Sequence, residues 1–342
     1  MIVGSVVAEK VLEQATKSLW DDPNSRGRCA RSISAALIAY AAGDSFGVSY
    51  EYHGEKIPVD TLHIGPRRKR AGENGPLEID DSWPLGGVSD DTMLSLLTIF
   101  AMEKGEASKS GVEFLNSLRT NLPTLRGLGP TTRAALGFEL REIEKAMIAT
   151  GKLVIGNTNG GMMRTALIGL AYDSSEETAR REMITELTLA THKDTKAVDC
   201  AVLASRLYSD ATSNGSENSL ISLLNDELRK IQSPTPEVST GVKNLDRWSP
   251  PEEGISLDPL ETLSAVYWTV THAESALDSY RIACELGGDT DTVAALATGL
   301  LAARDPIKSG LLEISWLDEV LWSEIPTIGP AISRLLKYRI GG

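Results

Sequence analysis

Two apolar runs, each opened by a cluster of acids and hydroxyls, constrain this sequence more than any other feature. The letters SDDT at 89–92 precede MLSLLTIFAM, and GGDTDT at 287–292 precedes VAALATGLLAA. Both runs are apolar on every side of a helix, so they predict helices in the interior of the protein. The fold must therefore place carboxylates at two helix starts that lie within its core.

The composition of the chain is that of packed helices. Hydrophobic residues make up 42% of the 342 residues and aromatic residues only 5%, so Ala, Leu, Ile, Val and Met must form the core. No linker divides the chain. We predict an all-α fold, a compact single-domain orthogonal helical bundle over residues 31–342, preceded by an N-terminal arm over residues 1–30.

Hydrophobic periodicity indicates where the helices of this bundle lie. A first buried helix is predicted at 31–50, interrupted at Gly43-Asp44, and a long loop at 54–87. Further helices are predicted at 90–104, 108–121, 131–149, 162–172, 176–191, 194–209, 219–231, 259–270, 275–286, 290–303 and 330–338. The segment 233–254 is predicted to be irregular. The sequence has neither a fixed-period repeat nor heptads, which disfavours a repeat array or a coiled coil.

The charge of the chain disfavours two classes of partner. A formal net charge of -13 opposes attraction to nucleic acid and to anionic membranes. The first twenty residues lack a basic segment followed by an apolar run, so we expect no signal peptide, and no stretch reaches the length of a membrane span. Cys29, Cys200 and Cys284 lie far apart among apolar neighbours, which is typical of buried thiols. We predict a cytoplasmic protein.

The acids at the two apolar helix starts allow two interpretations. The first is N-capping, since Ser, Asp and Thr satisfy free backbone N–H groups and the helix dipole favours negative charge. Capping needs one side chain per helix, whereas each start supplies two acids and a hydroxyl. The second is a metal site, because an all-oxygen ligand set suits Mg²⁺ or Mn²⁺ better than zinc. The candidate ligands are Ser89, Asp90, Asp91, Asp289, Asp291 and Thr292.

Two further segments have both a structural and a functional interpretation. Residues 43–51 (GDSFGVSYE) end a helix in Glu51, which is either exposed at the helix end or a site acid. Residues 156–164 (GNTNGGMMR) open a helix with small residues. That pattern is typical of a turn with an N-cap and also of a loop whose N–H groups bind a pyrophosphate. Neither segment decides between the two interpretations by itself.

Other polar and aromatic residues have a simpler explanation. His53 and His63 lack the spacing of a metal-binding pair and are predicted to be solvated. The basic run 67–70 (RRKR) is predicted to be a solvated loop, with an accessory contact to a diphosphate or an acidic partner as the alternative. Tyr267 and Trp268 have the spacing of core packing in a helix.

Taken together in this order, GDSFGVSYE, SDDT, NGGMMR, the pair Thr191-His192 and LGGDTDTVAA resemble the ADP-ribosylglycohydrolase family, which includes the dinitrogenase-reductase-activating glycohydrolases. The resemblance spans about residues 31–303, and SDDT with GGDTDT is its specific part. It implies a compact all-α fold with a dinuclear magnesium site in a central cleft. Mn²⁺ would also suit this site.

The resemblance also implies roles for individual residues. It assigns metal binding to Ser89, Asp90, Asp91, Asp289, Asp291 and Thr292. Glu51 matches an acid that these enzymes hold over the site on a mobile loop. The implied substrate-binding positions are Glu51, Asn159, Gly160, Gly161, Met162, Met163, His192 and Gly288. Family members often have Gly where this chain has Thr158, and a Pro-Gly-rich approach where it has WPLGGVSDD. These departures affect the pocket lining, and so the leaving group, more than the metal ligands.

The implied activity is hydrolysis of the glycosidic bond between ADP-ribose and a modified protein side chain, with an arginine linkage expected first and a serine linkage second. The partners would be an ADP-ribosylated protein and the product ADP-ribose. We expect Asp289 to act as general base and Glu51 to orient the substrate or assist proton transfer.

Two alternatives come from other classes of protein. A non-catalytic ADP-ribose-binding or toxin-neutralising immunity protein would use the same cleft but would not need every metal ligand. A purely structural helical protein is disfavoured by the surplus of acids at two apolar helix starts.

Overall fold

The computed structural model describes residues 25–51, 63–71, 75–214 and 217–341, and helices form almost all of the regular structure in these ranges. The first seven are α1 (Ser25–Gly47), α2 (Asp90–Ala101), α3 (Ala107–Asn121), α4 (Pro130–Ala135), α5 (Glu142–Ala149), α6 (Gly160–Thr165) and α7 (Glu177–Leu189). The next seven are α8 (Thr195–Asn214), α9 (Leu220–Leu228), α10 (Pro236–Lys243), α11 (Pro259–His272), α12 (Ala276–Glu285), α13 (Thr290–Arg304) and α14 (Ile328–Ile340). The predicted all-α fold is confirmed.

Short elements complete the described structure. A two-stranded antiparallel hairpin consists of β1 (Arg68–Arg70) and β2 (Leu77–Ile79), with Arg68 opposite Ile79. Short 3₁₀ segments lie at Leu122–Thr124, Ala166–Ala171, Leu245–Arg247, Leu311–Glu313, Ser315–Glu319 and Trp322–Glu324.

Helices α1 and α13 pack against each other in the interior. Both are rich in Ala, and almost all of their residues are buried. A Cβ on Gly43 would lie 2.5 Å from the carbonyl oxygen of Ala294, and a Cβ on Gly47 would lie 2.4 Å from the Cα of Asp291. Only glycine permits backbones to approach so closely. This contact fixes the start of α13, and with it Asp291, against the end of α1.

The other helices surround this pair and share its core. Buried apolar side chains form one connected cluster that extends from Cys29 in α1 to Leu336 in α14. Cys29, Cys200 and Cys284 are buried free thiols, as the sequence predicted. None of the helices built from the described residues is both long and apolar enough to cross a membrane.

Helix α1 differs from its prediction at both ends. It begins at Ser25, so residues 25–30 of the predicted arm are helical, whereas residues 1–24 lie outside the described residues. The predicted interruption at Gly43-Asp44 is wrong, because the helix continues to Gly47. Asp44 is tolerated in this buried helix because its carboxylate accepts hydrogen bonds from the backbone N–H groups of Ser89 (2.9 Å) and Thr92 (3.0 Å).

Three other segments also depart from their predictions. The predicted loop at 54–87 contains the β1–β2 hairpin. The predicted helix at 131–149 divides into α4 and α5, with Gly137 at a φ of +84° just after α4. The predicted irregular segment at 233–254 contains α10, which begins at a proline. Each missed element is too short to produce a clear periodic pattern.

Candidate active site

A cleft of about 380 Å³ lies where the starts of α2 and α13 meet the loop before α6. Its acidic lining consists of Glu51, Asp90, Asp91, Glu144, Asp289 and Asp291. Arg67, Arg141, Trp83 and His192 also line it. The two acid clusters that the sequence singled out therefore face a common space.

The start of α2 is capped without its own two acids. Ser89 is the N-cap residue, and its hydroxyl accepts a hydrogen bond from the Asp91 N–H at 3.1 Å. The Asp44 carboxylate accepts from the N–H groups of Ser89 and Thr92. In addition, Asp91 Oδ2 is buried without a hydrogen-bond partner. Capping therefore does not explain the carboxylates of Asp90 and Asp91.

A backbone bridge fixes the start of α13. Ile255 accepts a hydrogen bond from the Asp289 N–H and donates one to the Gly287 carbonyl, both at 2.9 Å. Gly288 lies between them at a φ of +76°, and a Cβ there would lie 2.1 Å from the Ile255 carbonyl oxygen. The Asp289 side chain makes no capping bond and instead accepts from the side-chain amide of Asn159. The bridge thus holds Asp289 at the cleft wall.

Carboxylates from different elements converge in the cleft. One oxygen each of Glu51, Asp289 and Asp291 lies within 4.8 Å of the other two. Burial, reinforced by neighbouring carboxylates, raises the pKa of Asp90 to about 8. Burial likewise raises the pKa of Asp91 and that of Asp291 well above their usual range, and the charges of nearby acids add to the shift. Such a cluster is unfavourable unless protons or cations neutralise it.

The donor set fits a hard divalent cation. The described residues that line the cleft offer carboxylate and hydroxyl oxygens and no thiol. Both ring nitrogens of His192 are already within hydrogen-bond distance of threonine hydroxyls. Asp91 Oδ2 is buried without a hydrogen-bond partner, as an oxygen that awaits a cation would be. Oxygen-only sets of this kind suit Mg²⁺ or Mn²⁺.

An ion-pair chain holds Glu51 from the loop side. The Arg67 guanidinium lies 3.2 Å from Glu51 Oε2 and 3.0 Å from Asp80 Oδ2. It also lies 4.7 Å from the ring centroid of Trp83, a distance typical of a cation–π contact. Burial raises the pKa of Glu51 to about 7, although the charge of Arg67 opposes the shift. Lys69 Nζ contacts the other oxygen of Asp80 at 2.9 Å.

A threonine network fixes His192 beneath the glycine-rich loop. His192 Nε2 lies 2.9 Å from Thr158 Oγ1, and Nδ1 lies 2.8 Å from Thr191 Oγ1. Arg164, which is fully buried, donates to Thr191 Oγ1 at 2.9 Å. Burial, together with the charge of Arg164, lowers the pKa of His192 well below its ordinary value. A Cβ on Gly160 would lie 3.0 Å from His192 Nε2, so the neutral ring supports the loop directly.

The outer wall of the cleft comes from α5 and the residue before it. Glu144 is buried, accepts from the Arg141 backbone N–H at 2.6 Å, and pairs with Arg133 at 2.7 Å. Arg141 itself has an exposed side chain. Both Arg141 and Glu144 line the cleft, which joins this helix to the site.

Ten of the predicted site residues line the cleft: Glu51, Asp90, Asp91, Asn159, Gly160, Met163, His192, Asp289, Asp291 and Thr292. Four others lie behind this surface. Ser89 caps α2, and Gly288 packs against the Ile255 backbone. Gly161 faces Thr188 and His192, and Met162 is fully buried in the core.

Sequence reasoning missed several residues of the cleft. Arg67 belongs to the basic run that was predicted to be solvated, and the run gives no sign that its first member pairs with Glu51. Trp83 lies in the predicted loop. Among the described residues that line the cleft, it is the one with a Phe, Tyr or Trp side chain. Arg141 and Glu144 sit where a single long helix was predicted. No local pattern marks them as site residues.

Comparisons with known proteins agree on one family. The family described as ADP-ribosylglycohydrolase matches residues 25–339. A curated relative, the ADP-ribosylarginine hydrolase Tri1 of Pseudomonas putida (strain GB-1), is 26% identical over 302 residues, which cover 84% of this chain and 74% of the relative. A solved structure described as an ADP-ribosylglycohydrolase-related protein complex has a TM-score of 0.64 at 23% identity, covering 90% of this chain and 98% of that chain. The structural likeness shows a shared fold.

Proposed function

The chain belongs to the ADP-ribosylglycohydrolase family of glycosidase-type hydrolases, and on that premise we propose that it removes ADP-ribose from modified arginine side chains of proteins. One observation carries the proposal. Carboxylate oxygens of Glu51, Asp289 and Asp291 lie within 4.8 Å of one another in a cleft that also exposes Asp90 and Asp91. Arg67 pairs with Glu51, but α2 is capped by Ser89 and Asp44 and does not need Asp90 and Asp91. Cleavage of a ribosyl bond uses acids gathered at the reacting centre.

The proposed cofactor is Mg²⁺, two ions as the acid count suggests, with Mn²⁺ as the substitute. The ligands would be Asp90, Asp91, Asp289, Asp291 and Thr292, with Ser89 beside them as the cap of α2. A bound divalent cation would supply Lewis-acid polarisation and orientation of the ribose hydroxyls. The unpartnered Asp91 Oδ2 supports this assignment, because a buried carboxylate oxygen otherwise lacks compensation.

Two acids have proposed roles in proton transfer. Asp289 is held by the Ile255 bridge and by the Asn159 amide, so its carboxylate has a fixed direction at the cleft wall. We assign to it the general base that deprotonates water. Glu51 is half-buried, lines the cleft and is held by Arg67, so we assign to it substrate orientation or assistance to the leaving group.

The glycine-rich loop is the proposed site for ADP-ribose. Asn159, Gly160 and Met163 line the cleft, and His192 supports Gly160 from below. Gly161, Met162 and Gly288 lie behind this lining, so they would act by setting its shape. The substrate would be an ADP-ribosylated protein, and free ADP-ribose would be released.

The arginine linkage is supported by the name of the curated relative, which is an ADP-ribosylarginine hydrolase. A serine linkage is the second candidate. A non-catalytic ADP-ribose-binding or immunity role is less well supported, because both acid pairs are intact and reach the cleft.

The test is release of free ADP-ribose from arginine-linked and serine-linked peptides, with Mg²⁺ or with EDTA. The wild type is compared with Asp289→Asn and with the exposed control Glu252→Gln. Release from the arginine peptide that needs Mg²⁺, persists in Glu252→Gln and is lost in Asp289→Asn would support the proposal. Tight ADP-ribose binding without release from either peptide would favour the binding protein, and full turnover by Asp289→Asn would remove that residue's assigned role.

A further inference from the structure

Exposed apolar side chains are concentrated in one short segment. Ten large hydrophobic residues are strongly exposed in the described part of the chain, and five of them fall between residues 138 and 155. They are Phe138, Ile143, Ile148, Val154 and Ile155, with exposures from 36% to 52%. We call residues 138–155 the α5 surface. Apolar residues exposed singly are ordinary, whereas a contiguous exposed apolar patch is typical of an interaction site.

Helix α5 does not bury the residues that normally attach a helix to its protein. Glu144 is its one buried residue, and it is held by the Arg133 ion pair and by the Arg141 N–H. Ile143 and Ile148 face solvent instead. Because the polar residue Glu144 attaches this helix to the protein, the apolar side chains of the helix remain available for a partner.

The α5 surface is continuous with the cleft. Arg141 and Glu144 line the cleft, and Ile143 lies between them in sequence on the solvent side. After α5 the chain returns to the cleft at Thr158, another lining residue. Any molecule that extends out of the cleft past α5 therefore meets the apolar side chains next.

The charge of this region also suits docking. Residues 138–155 contain three acids (Glu139, Glu142 and Glu144) and three bases (Arg141, Lys145 and Lys152), so their formal charges cancel. The whole chain carries a formal net charge of -13. A surface without the net negative charge of the rest of the chain does not repel an acidic polypeptide.

We propose that the α5 surface is the docking site for the polypeptide that carries the ADP-ribosylated side chain, with apolar residues of that polypeptide packing on Ile143, Ile148 and Phe138. The inference rests on the proposed function. The scissile bond must reach Glu51 and Asp289 inside the cleft, so the backbone that bears the modified residue must lie at the cleft mouth. The occupant is thus the protein substrate, and its side chains beside the modified residue supply the apolar complement.

The experiment compares two substrates that share the scissile bond: an intact ADP-ribosylated protein and free ADP-ribosylarginine. The variants are Ile143→Ser, Ile148→Ser and Phe138→Ser. Val112→Ser and Ile307→Ser are the controls, since they remove exposed apolar side chains outside the α5 surface. Each α5-surface variant is expected to lower kcat/KM for the protein by about tenfold, as loss of an interface anchor does. The value for free ADP-ribosylarginine should stay within about twofold, and the controls should match the wild type on both substrates.

Several results would overturn the proposal. Equal loss on both substrates would mean that the substitutions distort the cleft, and no loss on either would mean that the surface is not used. A wild-type dimer that Ile143→Ser converts to a monomer in sedimentation would assign the surface to a second copy of the chain. If the wild type hydrolyses neither substrate, the proposed function fails. The docking proposal is then tested by the affinity of the modified protein for the wild type and for Ile143→Ser. That affinity must be about tenfold lower for Ile143→Ser.

Discussion

The Arg67 guanidinium contacts the Glu51 carboxylate at 3.2 Å and ties it to the β1–β2 hairpin. The same guanidinium contacts Asp80 at 3.0 Å and lies over the Trp83 ring. Asp80 lies directly after β2, and its own N–H donates to the Arg67 carbonyl. Because one oxygen of Glu51 lies within 4.8 Å of oxygens of Asp289 and Asp291, the hairpin helps to set the position of a carboxylate of this cluster.

Removal of this guanidinium should lower turnover more than binding. In Arg67→Met the stem of the side chain remains, but Glu51 loses the group that orients it, so we expect kcat to fall by about tenfold or more. KM should change less than kcat, because the substitution leaves the proposed ADP-ribose loop at 159–163 unchanged. Arg67→Lys keeps the charge but loses the forked geometry of the guanidinium. Its kcat should lie between those of the wild type and Arg67→Met. Steady-state ADP-ribose release measures both constants.

Lys69→Met is the matched control for this prediction. Lys69 carries the same charge and pairs with the same Asp80, but no contact joins it to Glu51. A general electrostatic effect would lower turnover equally in Lys69→Met and Arg67→Met. Only a specific effect through Glu51 leaves Lys69→Met near wild type.

Gly47 tests the close contact between α1 and α13. A Cβ at this position would lie 2.4 Å from the Asp291 Cα, and neither backbone can move without disturbing the core. Gly47→Ala should therefore lower the free energy of unfolding by about 1–3 kcal/mol or more, as overpacking does. Urea unfolding measures the loss.

Gly329→Ala is the control for Gly47→Ala, because nothing lies within 4 Å of a Cβ at residue 329 in α14. Alanine has the higher helix propensity, so this variant should be neutral or more stable by up to about 1 kcal/mol. Equal destabilisation by the two substitutions would contradict the packing argument.

The acid clusters could be predicted from sequence because they break a local rule. SDDT and GGDTDT stand at the starts of helices that are apolar on every side, where surplus carboxylates have no structural use. The structure brings Asp90, Asp91, Asp289 and Asp291 to one cleft. Sequence alone could not separate Ser89, which caps α2, from its neighbours, nor show that Met162 faces the core while Met163 faces the cleft. Those directions depend on packing between distant helices.

The fold shows the same division between strong and weak local signals. Helices such as α8 and α13 are long, and their apolar pattern predicts them well. The β1–β2 hairpin has strands of three residues and mostly charged side chains, so no alternation of apolar and polar residues predicts it. The pairing of Arg67 with Glu51 depends on this hairpin, which explains why sequence reasoning missed both.

Metal binding should be visible as thermal stabilisation without any substrate. A cation that binds only the folded state raises the free energy of unfolding by about 2.7 kcal/mol at one hundred times its dissociation constant. We therefore expect millimolar Mg²⁺ to raise the Tm of the wild type by several degrees and EDTA to reverse the shift. Differential scanning calorimetry measures both.

Asp91→Asn should be more stable than the wild type in EDTA and less stable than the wild type in Mg²⁺. Burial raises the pKa of Asp91, so its charged form destabilises the folded protein at neutral pH when no cation is bound. The variant should therefore melt above wild type in EDTA and respond weakly to Mg²⁺. Glu252→Gln removes an exposed acid and should leave the Mg²⁺ shift unchanged. An undiminished shift in Asp91→Asn would contradict the assignment of this residue as a ligand.

His192 gives a prediction for the dependence of stability on pH. Burial lowers the pKa of His192 well below its ordinary value, so the folded protein keeps the ring neutral while the unfolded chain protonates it below a pH of about 6.5. The stability contributed by the neutral ring is therefore complete above that pH and declines by about 1.4 kcal/mol per pH unit below it. His192→Gln lacks this pH-dependent contribution to stability. When the pH falls from 7.5 to 5.5, the free energy of unfolding should therefore decrease by about 1 kcal/mol less in His192→Gln than in the wild type. His272→Gln removes a histidine at an exposed helix end and serves as the control. Parallel curves for wild type and His192→Gln would mean that His192 takes up a proton in the folded protein, and the threonine network would then be a different one from that described.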